Sequence, residues 1–230
     1  MNVVNIIWDF DGTILPNTPY DSEQSLIQHK LNMNGESISI FVRTLARILN
    51  YADNKEFLSR SFKHFYGWFM RGTHVSVLNA VCEQLAENIF ETDRQALLDL
   101  NSRGHRMAVL SCGTADLSER VLKIAGVYDC FEFIAGNRFQ IENNRITGMI
   151  LNMNQPESKV NLLQKMGIPA KTSIAVGDGY TDVPMLDWSR FPIVIDRSGQ
   201  KRKRFAEKDY DFISSISELL PLIEKKMSFI

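Results

Sequence analysis

Two periods of apolar residues run along this chain, and the places where one gives way to the other mark out its elements. From Asn2 to Leu15 (NVVNIIWDFDGTIL) an apolar run of strand length, Val3, Val4, Ile6, Ile7 and Trp8, stops at two aspartates that flank a phenylalanine, with Gly12 and Thr13 beyond. Consecutive apolar residues suit a strand covered on both faces, as in a parallel α/β sheet. Between Pro16 and about Phe90 the spacing turns helical and no convincing strand is found. Leu26, Ile27 and Leu31 make a short amphipathic stretch, and Ile38, Phe41, Val42, Leu45, Ile48 and Leu49 a clearer stripe. A third helix is expected from Asp53, where DNKE has capping-box form, carrying Phe57, Phe62, Phe65, Trp68 and Phe69, and a fourth after Gly72.

From Thr92 onward strand and helix periods alternate. Thr92 and Gln95 have capping-box form, Ala96, Leu97 and Leu100 make an inward stripe, and Gly104 falls where a helix C-cap glycine belongs. A strand, Arg106 to Leu110, opens into Ser111, Cys112, Gly113 and Thr114, and a helix is expected from about Asp116 to Gly126. Phe131 to Met149 reads as a strand and a hairpin turning at Glu142 to Arg145. Ser158 is expected to cap a helix with Lys159 in its first turn, where a cation opposes the helix dipole and so calls for a reason. Thr172 to Val176 reads as a buried strand that runs into GDGYTDVPML, and a strand at Pro192 to Ile195 and a helix after Ser215 complete the pattern.

The chemistry gathers at strand ends. In open parallel sheets the ligand crevice lies at the carboxyl ends of the strands, which is where Asp9 and Asp11 would sit. Two carboxylates so close repel each other in a dry crevice, and a hard divalent cation with oxygen ligands would reconcile them. The small polar loop at Ser111 and Gly113, followed by a helix N-terminus, suits an anion such as phosphate, although a helix-capping serine explains Ser111 equally well on local grounds. Two further aspartates, Asp178 and Asp182, fall in a glycine-rich loop at another strand end.

The segment DFDGT after a strand resembles motif I of the haloacid dehalogenase (HAD) superfamily, and GDGxxDxxML resembles its motif IV. By order, Ser111 matches motif II and Lys159 motif III. The resemblance implies an α/β fold with a Rossmann-like parallel sheet core at 1–15 and 91–230. It also implies an inserted helical cap at 16–90, like the small cap of phosphoserine-phosphatase-like members; a helical layer of one continuous core is the alternative. It implies further a Mg²⁺-dependent phosphatase acting on a small phosphorylated metabolite through an aspartyl-phosphate. Asp9 would be the nucleophile, Asp11 the general acid and base, Ser111 and Gly113 phosphate ligands, and Lys159 the balancing cation. Asp9, Asp11, Asp178 and Asp182 would form the metal site, Asp182 acting through a water or the lysine. Phosphoserine phosphatases typically carry a glutamate shortly after motif I and a cap arginine for the amino and carboxylate groups of serine. Glu23, Arg43 and Arg47 are the candidates here, but ILPNTPYDS and Gly12 depart from that family's pattern. A sugar, alcohol or amino-alcohol phosphate therefore stays open as substrate.

Composition narrows the partners. With a formal net charge of −1 and charged residues at 23%, nothing suggests a nucleic-acid surface, and the run Lys201 to Arg204 (KRKR) reads as a solvated face. Cys82, Cys112 and Cys130 show no CxxC spacing and suggest a reducing compartment; Cys112 as a nucleophile lacks a supporting histidine. The N-terminus lacks a signal peptide's pattern and no apolar run reaches membrane-spanning length, so a cytoplasmic location is expected. A phospho-acceptor signalling domain is the non-enzyme alternative, but it would need neither the helical block nor Asp11.

Overall fold

The computed structural model describes residues 3–17, 19–33, 44–46 and 59–227. Its centre is a seven-stranded sheet in the order β4-β3-β2-β1-β5-β6-β7. The strands are β1 (Asn5–Trp8), β2 (Arg106–Thr114), β3 (Phe131–Glu142), β4 (Arg145–Ile150), β5 (Ser173–Gly177), β6 (Phe191–Ile195) and β7 (Asp211–Ile213). Every neighbouring pair is parallel except β3 and β4. The chain steps outward from β1 through β2 to β3, then returns to the other side of β1 and steps outward again through β5, β6 and β7. Strand order thus reverses at β1, the topology that opens a crevice at the carboxyl ends of the central strands.

The helices among the described residues include α1 (Ser22–Asn32), α2 (Ser59–Phe69), α3 (Val75–Ala86), α4 (Glu91–Ser102), α5 (Ala115–Ile124), α6 (Glu157–Lys165), α7 (Val183–Trp188), α8 (Lys201–Arg204) and α9 (Leu219–Met227). Alternation along each strand divides the apolar residues between two layers. Ile6, Trp8, Met107, Val109, Ile174 and Val176 face one of them, whereas Ile7, Ala108, Leu110, Ala175 and Val194 face the other. The described part of 16–90 belongs to the first layer, since Leu26, Ile27, Phe62, Tyr66, Val77 and Val81 share one buried cluster with β1 and β2.

Several local expectations match the observed elements. The hairpin turns at Asn143 and Asn144, whose φ of 48° and 59° make the left-handed pair that a two-residue turn requires. A helix follows Gly72, and Lys159 lies in the first turn of α6. Other expectations are corrected. Thr92 does not cap α4, which starts at Glu91 after Phe90; Asp93 turns inward instead, accepting from Ser215 Oγ at 2.6 Å and from the Ile216 amide at 2.8 Å. Ser158 does not cap α6, whose N-cap is Pro156. β2 runs on through Ser111 to Thr114 rather than ending at Leu110. The helix start proposed at Asp53 lies outside the described residues, as does all of the stripe from Ile38 to Leu49 except Leu45. No helix among the described residues is long and apolar enough to cross a membrane.

One buried cation ties the helical block to the hairpin. Lys30, at the end of α1, donates to the Phe69 carbonyl and to Thr73 Oγ1, both at 2.8 Å. The same segment bonds to β4, with Gly72 N donating to Ile146 O at 2.8 Å and Ile146 N to Thr73 O at 2.9 Å. Removing the ammonium strands buried acceptors, at about 1–3 kcal/mol. Lys30→Ala is therefore expected to lower unfolding stability by about 2–3 kcal/mol, read as a reduced urea midpoint at unchanged slope; a midpoint equal to wild type would remove this tie from the fold's supports.

Candidate active site

The register brings the candidate residues together before any side chain is considered. Trp8, the last residue of β1, pairs with Val109 on one side and Val176 on the other. Asp9 therefore lies one residue beyond the pairing, with Ser111 and Asp178 two residues beyond it on the flanking strands. The Asp9 amide donates to the Val176 carbonyl at 2.9 Å, which continues the ladder to the crevice edge.

Lys159 resolves the oddity of a cation at a helix N-terminus. Its ammonium is wholly buried and donates to Asp9 Oδ1 at 2.7 Å and to Asp182 Oδ1 at 2.6 Å. Burial opposes the charged lysine, but Asp182 and Asp9 outweigh it, and its pKa ends well above the usual value. The other oxygen of Asp182, Oδ2, accepts from the Asp178 and Gly179 amides at 2.8 and 2.9 Å. Asp182 thus shapes the glycine-rich loop and holds the lysine.

Carboxyl oxygens of Asp9, Asp178 and Asp182 lie within 4.8 Å of one another. Burial, with Asp182 next, holds the Asp9 carboxyl well above the usual range despite Lys159. Burial pushes Asp178 up to about 6, against the pull of Lys201, whose Nζ is 2.6 Å from Asp178 Oδ2. Burial and mutual repulsion drive Asp9 and Asp178 toward their neutral forms, which marks a site short of positive charge, and the three clustered oxygen donors fit a hard divalent cation. Gly12 supports the same conclusion. Its φ is +83°, and a Cβ there would sit 2.3 Å from Asp178 Oδ2, so only glycine lets the loop after β1 approach this carboxylate.

Asp11 departs from expectation. Its carboxylate, expected among the metal ligands, lies outside the acidic cluster and turns to the start of α1, where Oδ1 accepts from the Ser22 amide at 2.8 Å and Oδ2 from Ser22 Oγ at 2.9 Å. Burial raises its pKa to about 6 against those two bonds. Ser111 is buried and its Oγ accepts from the Gly113 amide at 2.9 Å. Asp9, Asp11, Ser111, Gly113, Glu23 and Asp178 line one cavity of about 490 Å³. Cys112 borders it too, but burial raises its thiol pKa and keeps the nucleophilic thiolate form scarce.

Of the leaving-group candidates, Glu23 is brought to the cavity, while Arg43 and Arg47 lie outside the described residues. Four contributors escaped the reading of the sequence: Ser22, Lys63, Thr114 and Lys201. A D-x-x-Q capping box at Asp21, observed here, could have signalled that α1 begins beside the active loop. Lys201 corrects the reading of KRKR as a solvated face, because its side chain is only 19% exposed and pairs with Asp178. Lys63 and Thr114 are joined to Glu23 across 40 and 91 residues, and no local pattern announces such pairs.

Comparison with known proteins agrees with this geometry. The family model described as haloacid dehalogenase-like hydrolase matches residues 6–187. The chain is similar to phosphoserine phosphatase of Archaeoglobus fulgidus, 27% identical over a stretch covering 51% of this chain and 34% of that protein. It is also similar to phosphoserine phosphatase of Haemophilus influenzae, 28% identical over 51% of this chain and 37% of that protein. The matched stretch thus spans little more than a third of either relative's length. A solved phosphoserine phosphatase with bound substrate superposes over 96% of this chain and 99% of its own, with a TM-score of 0.73 at 14% identity, a likeness of fold.

Gly12→Ala is expected to act twice. A left-handed alanine costs about 1–2 kcal/mol, and its Cβ would push the Asp178 carboxylate aside. The variant should melt earlier than wild type and bind divalent cations at least about tenfold more weakly by titration calorimetry. Equal cation affinity in a folded Gly12→Ala protein would mean that Asp178 is not a ligand.

Proposed function

Because the chain belongs to the haloacid dehalogenase-like hydrolase family, we propose that it hydrolyses a small phosphate monoester through an aspartyl-phosphate formed on Asp9, with Mg²⁺ as cofactor. One observation carries this reading: Asp9 directly follows the central strand and lines a polar cavity, with one oxygen held by a buried lysine and Asp11 and Ser111 lining the same space.

The chain's own residues account for each step. Lys159 fixes Asp9 Oδ1 and Thr13 Oγ1 donates to Oδ2 at 3.4 Å, which together orient the carboxylate whose Oδ2 attacks phosphorus. The bond from phosphorus to the ester oxygen breaks as that bond forms, and Asp11 gives its proton to the departing alcohol. Asp11 then takes a proton from water, which attacks phosphorus, releases inorganic phosphate and restores the Asp9 carboxylate. Ser111 Oγ and the amides of the following loop are suited to hydrogen-bond the phosphoryl oxygens through the transfer. Asp9 and Asp178 would hold the Mg²⁺, with Asp182 supporting them, and when bound the cation neutralises charge on the phosphoryl group. In this reading 1–15 and 91–230 handle phosphate, and 16–90 supplies the leaving-group side of the cavity. The two phosphoserine phosphatase relatives support a substrate of small size.

Hydrolysis of p-nitrophenyl phosphate tests the reading. Turnover is expected with Mg²⁺ and should vanish in chelator, and Asp9→Asn should lower kcat by about 10³-fold or more. Full activity in chelator, or an Asp9→Asn protein close to wild type, would refute it. Asp11→Asn is expected to cost on the order of 10²–10⁴ in rate for an alkyl ester, whose poor leaving group needs the proton, and less for the aryl ester. Equal losses on both substrates would count against Asp11 as the acid of the first step.

A further inference from the structure

Beside the Ser111 to Thr114 segment the cavity wall carries a charge pair that bears on which alcohol departs. Glu23, in the first turn of α1, is buried, and both of its carboxylate oxygens are engaged. Oε1 accepts from Thr114 Oγ1 at 2.6 Å, and Oε2 accepts from Lys63 Nζ of α2. Both line the cavity; Glu23's side chain is 2% accessible and Lys63's 13%, and Lys63 also borders a second, smaller cavity beside Trp68 and Met149.

Position ties the pair to the leaving group. A Cβ built on Gly113 would lie 3.0 Å from Asp11 Oδ2, 3.0 Å from Ser111 Oγ and 3.9 Å from Glu23 Oε1. Glu23 and Asp11 therefore both approach Gly113, which sets the pair near the carboxyl group read above as the proton donor to the departing oxygen. Asp21 also lines the cavity, but its Oδ1 is occupied in capping α1 through the Gln24 amide at 2.7 Å.

Building on the phosphatase reading above, we infer that Lys63, neutralising Glu23 and facing the cavity, makes the site select phosphate esters whose alcohol carries a carboxylate or similar acceptor, and disfavour those carrying an ammonium. An ammonium entering here would meet the like charge of Lys63 and a Glu23 carboxylate whose charge that lysine already neutralises. A carboxylate would share the lysine. This reverses the role expected of Glu23 as the reader of an amino group.

Two esters of equal length provide the test: 2-phosphoglycolate ends in a carboxylate and O-phosphoethanolamine in an ammonium. The wild-type kcat/KM ratio should favour phosphoglycolate by roughly tenfold or more. Lys63→Met, which exposes the Glu23 carboxylate, should bring the ratio below about one. The double variant Glu23→Gln with Lys63→Met removes both charges, leaves no lone buried ion and should bring the ratio close to one, which keeps the test open if the single variant does not fold. Because the ratio is taken within each protein, a general loss of turnover cancels. Where neither ester turns over, the same ratio is read from their inhibition constants against p-nitrophenyl phosphate. A wild-type ratio near or below one, or a ratio unchanged in the folded variants, overturns the selection by Lys63 while leaving the phosphatase intact. A folded wild-type protein that hydrolyses no phosphate ester overturns the phosphatase reading, and this inference with it.

Discussion

A single ammonium with no exposure, set between two carboxylates, governs this molecule. Removing any one of Lys159, Asp9 and Asp182 would leave uncompensated charge in the interior, which is far more costly than the intact group is favourable. The triad spans three distant parts of the chain: the end of β1, the start of α6 and the loop after β5. It fastens the phosphate-side elements to one another and at the same time orients the carboxylate proposed to attack phosphorus. Stability and chemistry thus rest on the same two ion pairs, at 2.7 and 2.6 Å.

The acidic cluster is tolerable for a related reason. Asp9, Asp178 and Asp182 are packed more tightly than their charges would allow in a dry crevice, and Lys159 and Lys201 offset only part of the excess. Burial and the remaining imbalance drive Asp9 and Asp178 toward protonation, and a divalent cation would relieve it directly. Gly12 permits this crowding at the level of the backbone, since any side chain there would occupy the space of the Asp178 carboxylate.

On the other side of the cavity the helical block is joined to the sheet by a shared apolar cluster and by the Lys30 contacts. Its α1 reaches the active loop through Ser22, which holds both oxygens of Asp11, and through Glu23, which Thr114 anchors from the core. The groups that would protonate and recognise the leaving alcohol are therefore positioned by the block and the core acting together, and both would respond to a shift of α1.

The sequence alone determined the alternating α/β pattern, the strand that delivers Asp9, the glycine-rich loop of Asp178 and Asp182, and a lysine at a helix start that needed a reason. These were legible because each is a local conflict, a charge at the end of an apolar run or a cation against a dipole, and a conflict within a few residues can be seen without a fold. Only the tertiary structure decided what Asp11 faces, that Asp182 spends its oxygens on Lys159 and two loop amides, that Lys201 joins Asp178, and that Glu23 is neutralised by Lys63. Such pairings join residues far apart in the chain, where sequence spacing carries no information and burial selects the partner, because a desolvated charge must find its counterion wherever packing brings one within reach.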